Sequence, residues 1–341
     1  MPYKRNCASF RLEMALLDFL LRRARPPSRG AAPVLHQLRQ RIPSDGAPGL
    51  LPSSVPEVVA AEVRLGERFA AELHAWGARE PLGLGRRAAA IADAARRRRT
   101  GELAEALDGV APWELPALLE ALEERKDLDR NALLATARTL AGEATTLEQL
   151  AGALGLLALG PAPEDLPLLE EAARCPALTG VCAVAAEPLG GEALLSLARV
   201  STGLGRALAL ERLGLALAED PTALAPLAPE ALRLAATVED GPARAYAAVP
   251  LLELADAAKL LAADPGLAEP IAACLEATAL GGWNGGPGPG LGRLPGAIRA
   301  AEALLGGDAP AEARARAAQA VLDAHPMPAG PVRTLAQQAL A

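Results

Sequence analysis

The sequence predicts an all-α protein, an irregular helical-repeat array with an N-terminal helical extension, and three observations carry that expectation. Apolar residues make up 51% of the 341, mostly Ala and Leu, while aromatics are 2% and β-branched residues are scarce. Ala and Leu are the best helix formers, whereas a sheet protein draws on Val, Ile, Tyr and Phe. Leu/Ala-rich runs with helical period are broken every ten to eighteen residues by Gly, Pro or Asp, most clearly from Glu164 to Asp220. Helices this short cannot each bury an apolar stripe alone, so stacking them into one continuous core is the natural solution. The 30 prolines and 32 glycines fall mostly singly between the runs. They punctuate helices rather than mark disorder. The expected helix content is more than about 65%, well above the usual third.

Taken in order, residues 9–24 read as a first helix, with Ser9 as cap, Phe10, Met14, Leu17 and Leu21 on one face, and Arg22 and Arg23 in the last turn. Glu13 and Asp18 interrupt its apolar stretch and no small-residue cleavage site follows, so it does not read as a signal peptide. Residues 25–56 hold seven prolines and form an irregular connection, with one short helix around Val34 to Arg41. A further helix follows Pro56 and runs to Gly77, with Val59, Val63, Phe69 and Leu73 inward. The stretch from Arg86 to Val110 is helical and carries Arg96, Arg97, Arg98 and Arg99 in succession. These first 108 residues make a basic N-terminal region, and 109–341 the array.

Within the array, helices are expected to start near Glu114, Arg130, Thr146, Glu164, Ala177, Glu192, Leu204, Thr222, Ala243 and Leu267. Thr146 is a ready cap, and Pro112, Pro163 and Pro221 stand where a first-turn proline is tolerated. The recurrence is near 16 residues per helix, or roughly 30 to 36 per pair, the range of helical repeats. The array resembles HEAT-like and armadillo-like repeats. The likeness is carried by EDLPLLEEAAR, by Arg206, Ala207, Leu210, Leu213 and Gly214 in LGRALALERLGLAL, and by the Ala-biased run from Ala309 to Ala324. Residues 175–192 fit the pattern poorly. The resemblance implies a shape that binds proteins or nucleic acids along a concave face, and no particular activity.

The least regular stretch runs from Thr278 to Gly296 and centres on the Gly-rich loop 281–292, where seven glycines with Pro287 and Pro289 exclude helix. Trp283 and Asn284 sit in it, with Arg293 just beyond. Three readings of Trp283 stand: a plug for an imperfect turn, a partner contact, or part of a plain linker. The candidate partner-binding set is Arg206, Arg212, Trp283, Asn284 and Arg293, with Arg206 and Arg212 expected to be exposed on one side of the stack.

Catalytic patterns are missing from the sequence. His36, His74 and His325 are scattered, and no G-x-S-x-G elbow, Rossmann fingerprint or Walker motif occurs. Cys7, Cys175, Cys182 and Cys274 show no paired metal spacing and read as small buried thiols of a reducing compartment. No cofactor or metal is expected, and the expected compartment is the cytoplasm. Charge is uneven: residues 1–100 carry a net +9 and residues 101–341 a net −16. The basic region docks on the acidic array or meets an anionic partner. The expectation is therefore a non-catalytic scaffold for a protein partner. The alternative is a nucleic-acid binder or DNA-base-processing enzyme, which requires Arg86, Arg87 and Arg96, Arg97, Arg98, Arg99 to converge on one open face.

Overall fold

The computed structural model describes residues 32–50, 83–108, 110, 115–279, 290–324, 326–328 and 330–341. Of the described residues 78% are helical and none lies in a strand, as Ala/Leu composition dictates. Sequential helix pairs contact one another in the pattern typical of an irregular helical-repeat solenoid. The helices expected at 9–24 and 57–77 lie outside the described residues. By packing the chain divides into two compact units, Met1–Ala193 and Leu194–Ala341.

The first unit contains α1 (Val34–Arg39), α2 (Leu84–Arg96), α3 (Thr100–Leu107), α4 (Leu115–Glu123), α5 (Arg130–Glu143), α6 (Leu147–Leu156), α7 (Leu166–Ala173) and α8 (Pro176–Ala186). Helix α2 packs on α3 and α4, α3 on α5, α5 on α6, α6 on α8, and α7 on α8. Asp129 and Thr146 open α5 and α6 by accepting from the N–H groups of Ala132 and Gln149. Every residue of α8 is buried. That explains why residues 175–192 fit the repeat pattern poorly: a helix enclosed on all sides has no polar face to mark its period. Helix α1 is short and lies against both α5 and α7.

The second unit begins within α9 (Gly191–Val200) and continues through α10 (Gly203–Glu219), α11 (Pro221–Leu224), α12 (Ala228–Ala236), α13 (Gly241–Leu254), α14 (Ala257–Ala263), α15 (Ala268–Thr278), α16 (Pro295–Gly306), α17 (Ala311–Asp323) and α18 (Pro331–Leu340). Its long helices alternate between two layers. In one, α12 packs on α15 and α15 on α17; in the other, α10 packs on α13, α13 on α16 and α16 on α18. Close approach of α10 and α13 needs Gly214, where a Cβ would stand 2.7 Å from Cβ of Pro250. Helix α16 is seated on α13 by a cap from outside its own chain segment. Oε1 of Glu253 accepts from the N–H groups of Gly296 (2.7 Å) and Ala297 (3.2 Å), satisfying donors that a helix leaves open at its start.

All ten expected helix starts lie within two residues of an observed helical turn. One expectation changes: the helix from Thr222 is three pieces. Pro226 falls in a 3-10 turn (Ala225–Leu227) and Pro229 opens α12, two missing N–H groups within four residues.

Candidate functional site

Arginines carry most of the expected site, and they differ in burial. Arg206 and Arg212 are not exposed; they are 8% and 9% accessible. Arg206 stands in the first turn of α10. Its Nε donates to the carbonyl of Ala198 near the end of α9 (3.0 Å), and its Nη1 to Oγ1 of Thr237 at the end of α12 (2.5 Å). Burial without a carboxylate partner pulls the Arg206 pKa down from its ordinary value. Arg244 repeats the device one helix pair later: its Nε donates 2.7 Å to the carbonyl of Val238. Arg206 closes off an open carbonyl in the last turn of α9, where a cation also meets the negative end of the dipole, and Arg244 ties down the carbonyl just past the end of α12. The exposure expected of Arg206 from its place on an amphipathic helix fails because α10 is enclosed along most of its length.

A second set of arginines ties neighbouring helices of one layer together. In the second unit Arg199 forks onto Glu230 (2.7 and 2.8 Å), and Arg233 bonds Asp264, each across 31 residues. Arg316 reaches Glu276 (2.6 Å) and Glu269 (3.3 Å). In the first unit Arg138 forks onto Asp165, at 2.6 and 2.8 Å. Asp165 is 3% accessible. Burial works against its ionisation, but the Arg138 fork and the Ala162 N–H overcome this and hold the carboxyl below the usual range. The Arg199 guanidinium likewise lowers Glu230. These charges join helix to helix.

The four consecutive arginines at the end of α2 are largely answered by acids of their own unit. Arg96 pairs with Asp93 and Asp127, Arg99 with Glu102, and Arg97 stands 3.9 Å from Glu102. Arg98 has a left-handed backbone (φ 53°). Its N–H bonds Ala95 and that of Arg99 bonds Ala94, the paired closure of a helix end in which glycine is the usual residue. Arg86 and Arg87 lie at the opposite end of the same helix, about 15 Å away by helical rise. Arg87 donates to the carbonyl of Asp108.

Arg293 is exposed and closes a short 3-10 turn, Leu291–Arg293, fixed by buried Leu291 and Leu294. Trp283 and Asn284 lie outside the described residues. Cys175, Cys182 and Cys274 are buried and not in disulfides; burial pushes the Cys182 thiol up, and that of Cys274 up to about 12, so neither of these two is a ready nucleophile. Among the described residues no group of His, Cys, Asp and Glu could hold a metal ion. No described helix is long and apolar enough to cross a membrane.

Fold and contacts together define an all-α protein with a staircase of sequential helix pairings, the arrangement of helical-repeat proteins. No family model, curated protein or solved structure matches the chain.

Proposed function

We propose that the protein is a non-catalytic helical-repeat scaffold of HEAT-like or armadillo-like type that holds a protein partner along a helical face. The observation that carries this is the difference between the two layers of the second unit. On the α12–α15–α17 layer Glu230, Arg233, Glu269, Glu276 and Arg316 are engaged in ion pairs that reach a neighbouring helix or turn. On the α10–α13–α16 layer Arg244 and Glu253 serve as caps, and Val249, Ile298 and Ala303 are half-buried, with Arg299 and Glu302 beside them. Partly exposed apolar residues interspersed with charges on packed helices suit a protein surface better than a phosphate backbone. Arg293, with Trp283 and Asn284 in the same Gly-rich segment, forms the proposed contact edge; the burial of Arg206 and Arg212 makes them the weakest members of the set. The pairing of Arg96, Arg97 and Arg99 with acids, and their distance from Arg86 and Arg87, speak against the nucleic-acid reading.

Affinity recovery with the full chain tests the proposal. A stoichiometric protein partner is expected, retained after nuclease treatment and lost in Val249→Asp/Ile298→Asp without a matching fall in melting temperature. Recovery of nucleic acid alone, with duplex affinity falling steeply between 50 and 200 mM salt, would reverse it.

A further inference from the structure

Residues 32–50 occupy a place in the first unit that the second unit gives to direct helix–helix contact. There α12, α15 and α17 abut, whereas α5 and α7 are bridged by α1. Helix α1 has six residues, far below the roughly 12–15 at which an isolated helix becomes even marginal in water. Its helicity therefore comes from its seat. Leu35 and Leu38, three residues apart, are 2% and 3% accessible. The Val34 N–H donates 2.8 Å to the carbonyl of Ala144, the C-cap of α5. Arg39 bonds Glu171 on α7 at 2.8 Å, and Arg174 donates 2.7 Å to the carbonyl of Ala47. The other polar side chains of α1 turn to the strap itself: Gln37 donates to the Ala32 carbonyl, and Gln40 pairs with His36.

We propose that the slot between α5 and α7 is a helix-binding groove filled in cis by residues 32–50, and that its exchange ligand is an amphipathic partner helix presenting two apolar residues three apart followed at once by a cation. This rests on the scaffold reading above and names the chemistry of its partner. The side-chain ties to Glu171 and Arg174 span 132 and 127 residues, so local chain geometry does not place the strap. The groove reads Leu35, Leu38 and Arg39, the helix-in-groove mode of recognition. A segment held by two leucines, one exposed ion pair and two hydrogen bonds to backbone belongs to the low-stability end of a structure and opens while the stack stays folded. A covalently attached occupant lowers the apparent affinity for a ligand added in trans.

The test uses the full chain and a fluorescent synthetic peptide of residues 32–50, read by anisotropy. Leu35→Asp/Leu38→Asp in the chain empties the groove and is expected to bind the wild-type peptide at least tenfold more tightly than the wild-type chain does. A peptide carrying the same two substitutions is expected not to bind. Glu171→Arg is a surface change that leaves the apolar seat intact, and it keeps the test open if the double variant fails to fold. The Glu171→Arg chain should prefer an Arg39→Glu peptide over the wild-type peptide by at least threefold. No binding to a folded Leu35→Asp/Leu38→Asp chain, or no preference in Glu171→Arg, overturns the groove. A partner recovered equally by wild type and both groove variants also overturns it, while leaving the scaffold reading standing. Peptide binding with no protein partner recovered from the host keeps the groove and overturns the scaffold.

Discussion

The two units solve the same problem, lining up the helices of one layer, in different ways. In the second unit α12, α15 and α17 meet directly, and arginines bridge α9 to α12, the turn before α15 to α12, and α17 to α15. In the first unit a strap from nearly a hundred residues earlier fills the interval between α5 and α7, and the Arg138–Asp165 fork bridges that interval directly. A regular layer is specified by short-range pattern and a fixed spacing. An interrupted layer depends on a segment whose position no local rule announces. The first is stiff by construction; the second has a replaceable part.

The largest expected effect separates layer core from strap. Leu232, fully enclosed in α12, should cost about 2–5 kcal/mol as Leu232→Ala, read as a lower global melting temperature. Leu38→Ala removes the same atoms from an equally buried site, yet its loss should appear mainly as local exposure of residues 34–40, with a smaller shift of the global transition. Equal melting losses would place the strap in the cooperative core.

Next is the first unit's fork. Arg138→Ala leaves the Asp165 carboxylate buried without its partner, and about 2–3 kcal/mol is expected, below the roughly 3–5 of a fully buried pair because Arg138 is about a third exposed. The folded Asp165 carboxyl titrates lower than in the unfolded chain. Its contribution is therefore complete above the unfolded value of about 3.9 and is lost as pH falls through the lower folded one. Wild type should lose stability in that acid window more steeply than Asp165→Asn; parallel pH curves would remove the fork from the account.

The second unit's ties are smaller. Arg199→Ala should cost about 0.5–1 kcal/mol, and the double-mutant coupling with Glu230→Gln should shrink at high salt, since both side chains are more than two-fifths exposed. The smallest effect has the opposite sign. Arg98→Gly relieves a left-handed conformation at the end of α2 and should raise stability by about 0.5–1 kcal/mol. A loss there would mean that the Arg98 side chain contributes more than its backbone costs.

Much of the fold was legible because its rules are local. Thr146 announced α6, Pro163 the turn into α7, and the Leu/Ala period the ten helix starts. Helix α8 was obscure for a physical reason, since total burial erases amphipathic pattern. The site was far less legible. Arg206 looked like a surface arginine because sequence reports periodicity and not which face a neighbouring helix covers. The acids that engage Arg199 and Arg233 stand 31 residues on, a spacing equal to one helix pair. Searching for arginine–acid recurrence at the repeat length would have found them. Nothing local would have set Leu35 and Leu38 between α5 and α7.

Native-state hydrogen exchange of the wild-type chain tests the contrast most directly. Amides of residues 35–40 and of α12 should be compared under conditions where exchange reports opening free energy. The account predicts that the strap amides exchange at least a hundredfold faster than those of α12, through an opening that leaves α5 and α7 protected. Equal protection of strap and α12, with both exchanging only on global unfolding, would contradict it.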